Sequence, residues 1–189
     1  MNKLPEQARW APYPLAAAAI LSAALAGVAG CAGWRSPVEG APSLAGTWTL
    51  VAADDLLPDG RRVPAYGPSP RGRLMIDEGG RYSLQLFRSG RPRFASGDKR
   101  RGTAAEYEGA VLGMSTHSGR CAIDPGGRTI TFRIELAAFP NWEGTVQVRQ
   151  FTLAGDELSY RQPAGPSGRV PISVWRRVSA RSDRAGPAE

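Results

Sequence analysis

The chain has 189 residues, of which 42% are hydrophobic and 22% are charged. This length and balance fit one folded domain preceded by a targeting segment, and they exclude an intrinsically disordered chain. The net charge is +7, and all but two of the basic residues are arginines. Because an arginine bias can follow from genome composition alone, the charge does not indicate a nucleic-acid partner.

Residues 1–30 have the pattern of a secretion signal. Lys3 and Arg9 supply a positively charged start, and residues 15–30 form an apolar run rich in alanine. The run has the length of a signal core plus a cleavage site, and it is short for a membrane-spanning helix. The sequence therefore predicts a signal peptide and an exported protein.

The apolar run ends in Val28-Ala29-Gly30-Cys31, which resembles the bacterial lipoprotein box. The resemblance implies that Cys31 becomes the mature N-terminus and carries acyl chains, which would hold the protein on a membrane without a spanning helix. Since Ala32 follows the cysteine, it also implies the periplasmic face of the outer membrane. The alternative is a plain secreted protein in which Cys31 is an ordinary residue.

A flexible tether and the first strand follow. Residues 31–43 are rich in Gly, Pro and Ser and are predicted to be the tether. In residues 45–54, Trp48, Leu50 and Ala52 share one face at a period of two, and Gly46 permits close backbone packing. A Gly-x-Trp at the start of a first strand resembles the lipocalins, in which the tryptophan plugs one end of a barrel.

Seven further segments have the alternating pattern and flanking turns of strands. They are residues 71–77, 81–88, 115–124, 129–137, 144–153, 157–162 and 169–178. Residues 55–70 are predicted to be a loop, and residues 179–189 a disordered tail. Eight antiparallel strands joined mainly by hairpins can close a barrel that is filled by side chains or holds one small ligand.

One helix is expected outside the signal. Residues 103–106 match a capping box, which predicts a helix over residues 104–112 that covers one mouth of the barrel. Tyr107 and Val111 lie one turn apart and are expected to face inward. The basic residues 88–102 before it are predicted to be a solvated loop, with attraction to anionic lipid headgroups as the alternative.

Four segments carry a resemblance to the bacterial lipocalin-like domain family. They are residues 90–98, 139–142, 144–158 and 174–178, and the likeness runs in order from about residue 44 to residue 178. It implies an all-β fold, an antiparallel up-and-down barrel of about eight strands with one short helix, but no settled activity. It also implies that a basic residue stacks on Trp48; Arg177 is the candidate, and Arg176 the alternative.

The lining of the barrel depends on the phase of two strands. In residues 129–137 the apolar residues occupy even positions, which are predicted to face inward: Ile130, Phe132, Ile134 and Leu136. In residues 144–153, Val146 and Val148 are even, whereas Phe151 and Leu153 are odd. This change predicts either a bulge or an inward polar residue near Arg149.

Two interpretations of Gln147 and Arg149 remain open. In the first, both belong to a solvated outer face, where exposed ion pairs contribute less than about 1 kcal/mol each. In the second, both point inward beside Phe151. A buried arginine is costly unless an anion meets it, and a fatty-acid-like carboxylate would serve.

Candidates for catalysis are few. His117 has no Cys, Asp or Glu at metal-ligand spacing, and Cys121 is expected to be a buried, unreactive thiol. An enzyme of the isomerase or hydratase type would need an inward acid or base, for which His117, Tyr82 and Tyr160 are available. No catalytic residue, metal or organic cofactor is implied.

The sequence favours a lipid-anchored envelope protein whose barrel, residues 44–178, binds or carries a small hydrophobic ligand that could be anionic. The alternatives are an enzyme that uses the same pocket and a filled barrel with a structural or interaction role. The oligomeric state is left open. The predicted lining residues are Trp48, Leu84, Phe132, Ile134, Gln147, Arg149, Phe151 and Trp175.

Overall fold

The computed structural model describes residues 42–124 and 126–179. The predicted signal peptide, Cys31, most of the tether and all but the first residue of the predicted tail therefore lie outside the described residues. None of the described helices is long and apolar enough to span a membrane. The elements are β1 (Gly46–Leu56), β2 (Arg62–Pro64), β3 (Arg71–Ile76), β4 (Arg81–Phe87), α1 (Ala104–Leu112), β5 (Met114–Ile123), β6 (Thr129–Ala137), a 3₁₀ helix (Pro140–Trp142), β7 (Val146–Ala154), β8 (Glu157–Arg161) and β9 (Val170–Arg177).

Eight of these strands close into a barrel. From β3 to β9, each strand pairs antiparallel with the next, and β1 pairs with both β3 and β9. The short β2 pairs with the end of β1 and lies within the segment predicted to be a loop. The predicted all-β, eight-stranded antiparallel barrel with one short helix is confirmed. Closure leaves the barrel strands without a free edge that could pair with another chain.

The two ends of the barrel differ. Short turns join β3 to β4, β5 to β6, and β7 to β8, and they share one end with residues 42–45. We call this the turn end. The longer connections, residues 57–70, 88–113, 138–145 and 162–169, gather at the opposite end, which we call the loop end. Access to the interior is therefore expected at the loop end, where side chains of longer segments can move.

Trp48 and Arg177 close the turn end. The indole is fully buried, and its Nε1 donates a 3.0 Å hydrogen bond to the Leu44 carbonyl. The Arg177 guanidinium lies 4.0 Å from the centre of the Trp48 ring and donates to the carbonyls of Ala45 and Ser43. The cation therefore rests on an aromatic face and is also hydrogen-bonded, which offsets the cost of removing it from water.

Two register shifts change which residues face inward. Between Leu50 and Ala52 the pairing of β1 with β9 skips a residue, so Ala53 is buried instead of the predicted Ala52. Ser118 pairs with Leu136 and Gly119 with Ile134, which leaves an extra residue in β6. The extra residue reverses the alternation, so Leu136 is 66% exposed and its predicted inward position is wrong.

The helix begins and ends where predicted, but it does not face inward. Its capping box is formed, with Thr103 and Glu106 each accepting a hydrogen bond from the backbone N–H of the other. Tyr107 and Val111 are exposed, and no residue of α1 is buried, so their predicted inward orientation is wrong. Tyr107 packs edge-on against Phe94 of the preceding loop instead. The helix therefore forms a small unit with that loop rather than a seal over the interior.

Candidate functional site

The barrel interior contains all the residues that the sequence assigns to a pocket. Strand β7 alternates without a register shift against β6 or β8, so Gln147, Arg149 and Phe151 face inward, while Val146 and Val148 are exposed. The inward polar position, and not a bulge, thus accounts for the change of phase in the sequence. The other predicted lining residues are buried: Trp48, Leu84, Phe132, Ile134 and Trp175.

Arg149 places a positive charge inside the barrel. Its side chain is 5% exposed, and no described carboxylate forms an ion pair with it. The guanidinium donates a 2.6 Å hydrogen bond to the Gln147 side-chain oxygen. Its central carbon lies 4.9 Å from the centre of the Phe132 ring and 5.0 Å from that of Tyr160. Because arginine keeps its proton inside proteins, the buried cation is stabilised by these two aromatic faces, the Gln147 amide and the nearby Tyr160 hydroxyl.

Phe132 lies at the centre of an aromatic cluster. Its ring centre is 4.8 Å from that of Tyr82, 5.9 Å from His117 and 6.1 Å from Tyr160, all in edge-to-face arrangements. Phe132 and Trp175 are both 0% exposed. Since a water-sized void would expose the atoms that line it, no such void touches either ring. Side chains therefore fill this part of the interior, and a ligand would have to displace some of them.

His117 faces Phe132 from strand β5. It is 4% exposed, and its Nδ1 lies 2.8 Å from the Tyr82 hydroxyl. The ring also packs edge-to-face with Trp142 of the 3₁₀ helix at the loop end, with ring centres 6.0 Å apart. Burial, and secondarily the charge of Arg149, lowers the pKa of His117 to about 3. The imidazole is therefore neutral at physiological pH, and its polar atoms act as hydrogen-bonding groups only.

The interior phenols and thiol, those of Tyr82, Tyr160 and Cys121, are also neutral. Burial raises the pKa of the Tyr82 and Tyr160 phenols, although Arg149 opposes the shift in both. Burial raises the pKa of the Cys121 thiol to about 12. None of these groups matches the pKa near neutral pH that favours general acid or base catalysis. The arrangement suits binding of a polar or anionic group better than proton transfer.

Three buried nitrogen atoms lack a hydrogen-bond partner within the described part of the chain. They are Nε2 of His117, Nε of Arg149 and Nε1 of Trp175. An unpaired buried polar group costs about 1–3 kcal/mol, so proteins keep few of them. The nitrogens of Arg149 and Trp175 are donors, and the Tyr160 hydroxyl lies near both side chains. Together with the cation, they make the interior complementary to oxygen atoms that carry negative charge.

The sequence indicates His117 and Tyr82 separately. It predicts neither their contact nor the contact of His117 with Trp142. The register of β4 with β5 pairs Leu84 with His117 and Tyr82 with Gly119, which makes Tyr82 and His117 diagonal neighbours. Diagonal pairs lie within reach of aromatic side chains. The contact follows from the register of the two strands, which the sequence pattern does not give.

Two clefts lie on the outside of the barrel. One, of about 510 Å³, is lined by residues of β1, β3, β9 and the two residues after β9, and it includes Arg73 and Arg176. The other, of about 360 Å³, lies between the loop at Arg91 and helix α1. Neither contains any of the eight predicted lining residues. A ligand in the interior would thus occupy a different place from a ligand in either cleft.

A closed barrel with a tryptophan plug, an arginine stacked on it and an inward-facing aromatic lining defines a lipocalin-type barrel. Residues 45–178 match the model of the lipocalin-like domain, and the chain belongs to this family. It is similar to the 4'-hydroxy-3'-methoxypropiophenone carrier protein ppsC of Aspergillus oryzae. The two are 30% identical over 106 residues, which are 51% of this chain and 96% of that protein.

Proposed function

We propose that the protein binds and carries a small hydrophobic ligand with an acidic group inside its barrel. Arg149 carries this proposal: it is a buried cation with no described carboxylate partner and one unpaired N–H. An anionic oxygen from the ligand would satisfy both the charge and the unpaired donor. Hydrogen bonds between charged groups contribute about 1.5–3 kcal/mol each, enough to select an acid over a neutral analogue.

The family and the similarity to a named carrier protein support the binding of a small aromatic ligand, whereas the acidic group rests on Arg149 alone. The Aspergillus relative is named as a carrier of 4'-hydroxy-3'-methoxypropiophenone, a hydroxylated aromatic ketone. A ligand of that kind has a flat apolar body and polar atoms at its ends. The aromatic rings around Phe132 suit such a body. Edge-to-face contacts with a further ring stabilise the complex beyond the contribution of the buried apolar area.

Entry of a ligand requires side chains to move. Phe132 and Trp175 have no exposed surface, so the ligand must take the place of groups beside them. Gln147 and Trp142 are half-buried, and Trp142 belongs to the 3₁₀ helix at the loop end. Rotation of Gln147 would free the Arg149 guanidinium, and movement of Trp142 would open the way to His117.

The test is to replace Arg149 and compare an acid with its ester. We would titrate the full chain with 2-naphthoate, a small fluorescent aromatic acid, and with its methyl ester. Arg149→Met is expected to weaken binding of the acid about 10- to 100-fold and to leave binding of the ester unchanged. Arg133→Met, on the exposed face of the adjacent strand, is the matched control. Unchanged affinity for the acid in Arg149→Met would remove Arg149 from the site, and no binding of either probe would favour a filled barrel.

We further propose that the protein is anchored by lipid to the periplasmic face of the outer membrane through Cys31. The support is the lipoprotein-type box of residues 28–31 and the apolar run before it. The intact mass of the protein from its host membranes is expected to show cleavage before Cys31 and added acyl chains. The Cys31→Ala variant is expected to lose both. An unmodified Cys31 in the wild-type protein would rule out the anchor.

A further inference from the structure

The interior holds a second unpaired polar group, and an acidic group bound to Arg149 would not satisfy it. His117 is buried, and its Nε2 has no partner among the described residues. It lies on β5 and Arg149 lies on β7, and these strands flank β6 on its two sides. Both side chains nevertheless reach the same ring, with Arg149 4.9 Å and His117 5.9 Å from the centre of Phe132. A ligand that moved the Phe132 side chain aside would therefore meet both the cation and the imidazole.

The chemistry that His117 can offer depends on its contact with Tyr82. If the Tyr82 hydroxyl donates to Nδ1, then Nε2 carries the proton and donates; if Nδ1 donates to Tyr82, then Nε2 accepts. A hydroxyl group on a ligand can satisfy either state, because it both donates and accepts. A second acidic group would suit this position less well, since it would be buried beside a neutral ring.

We propose that the ligand is a two-ended aromatic acid, with its acidic group on Arg149 and a neutral hydroxyl on His117 Nε2. This inference rests on the proposed function and narrows it to one ligand class. Because both groups contact a single Phe132 ring, a ligand that reaches both spans about one aromatic ring, so an aromatic body suits it better than a long acyl chain. The flat body would pack among the rings of Phe132, Tyr82 and Tyr160.

Three related probes separate the two ends. Cinnamate has the acid alone, 4-hydroxycinnamate has the acid and the hydroxyl, and methyl 4-hydroxycinnamate has the hydroxyl without the charge. Titration calorimetry with the full chain is expected to show that 4-hydroxycinnamate binds about 3- to 10-fold tighter than cinnamate, the value of one net hydrogen bond. The ester is expected to bind more weakly than either acid. Equal affinities for the two acids would overturn the inference while leaving an Arg149-bound acid in place. A failure of both acids to bind would overturn the inference and the proposed function together.

His117→Phe keeps an aromatic ring but removes both nitrogens. In this variant the two acids are expected to bind equally, and Thr116→Val, the preceding residue on the same strand, should keep the wild-type preference. A preference that persists in His117→Phe would contradict the role of His117.

A measurement on the wild-type protein does not depend on the variant folding. His117 is the single histidine of the chain, so histidine labelled with ¹⁵N gives one set of ring signals. The Nε2 signal is expected to shift on addition of 4-hydroxycinnamate and to shift much less with cinnamate. Equal shifts with the two acids would contradict the proposed contact.

Discussion

Arg177 stacks on Trp48 at the seam where the last strand of the barrel meets the first. The two residues are direct partners in the pairing of β1 with β9, and the guanidinium lies 4.0 Å from the ring centre. The same side chain donates to the carbonyl of Ala45, which leads into β1. Arg177 thus connects the buried Trp48 side chain, the pairing of β1 with β9 and the segment that precedes β1.

We expect Arg177→Met to lower the free energy of unfolding by about 2–3 kcal/mol. The substitution removes a partly desolvated cation–π contact and leaves the Ala45 and Ser43 carbonyls without their donor. Arg176→Met is the matched control, because Arg176 is exposed on the outer face and should change stability by less than about 0.5 kcal/mol. Urea unfolding measures both, and equal losses would contradict a special role for Arg177.

Gly46 is required by the same contact. Its φ of +132° is a backbone conformation that other residues rarely adopt, and an added Cβ would lie 2.9 Å from Nη1 of Arg177. We expect Gly46→Ala to destabilise the fold by about 2–3 kcal/mol through backbone strain and displacement of the guanidinium. Gly144→Ala has positive φ but nothing within 4 Å of the added Cβ, so it should cost about 1 kcal/mol. Thermal unfolding that ranks the two variants in the opposite order would contradict this account.

The fold could be predicted from the sequence because local signals agree with the final architecture. The capping box at Thr103 fixes the helix, and the alternation of residues 129–134 fixes the inner face of β6. The bulges could not be predicted, since an extra residue in one strand is defined only by its partner strand. For that reason the sequence pattern places Ala52 and Leu136 on the wrong face. It also predicts the wrong orientation for Tyr107, because the spacing of residues along a helix does not say what the helix packs against.

The candidate site was predictable as a set of residues but not as an arrangement. The phase change in β7 identified Arg149 as an inward residue or the neighbour of a bulge, and the uniform pairing with β6 decides between them. The contact of Tyr82 with His117 joins residues 35 positions apart and follows from the register of β4 with β5. Whether the interior is filled or hollow depends on side-chain volumes and rotamers, which the sequence pattern does not encode.

His117 predicts how stability depends on pH. Its pKa is about 3 in the folded protein, against an ordinary value of 6.5, because burial and Arg149 disfavour the charged ring. Between these values the unfolded chain binds a proton that the folded chain does not. The free energy of unfolding should therefore be largest above pH 6.5 and decrease as the pH falls, by about 2 kcal/mol at pH 5.

Urea unfolding between pH 5 and 7.5 measures this dependence, in a range above the ordinary titration of Asp and Glu. The His117→Phe variant has no titrating group at this position, so its stability should change much less over the same range. Parallel pH profiles for the two proteins would show that His117 is accessible to protons in the folded state.

The most direct test of the central claim is a crystal structure of the full chain with 4-hydroxycinnamate bound. We predict the carboxylate within about 3 Å of the Nε and Nη atoms of Arg149, with the Gln147 side chain turned away and the ligand ring against Phe132. A ligand in the outer cleft at Arg73 and Arg176, with Arg149 still bonded to Gln147, would contradict the account.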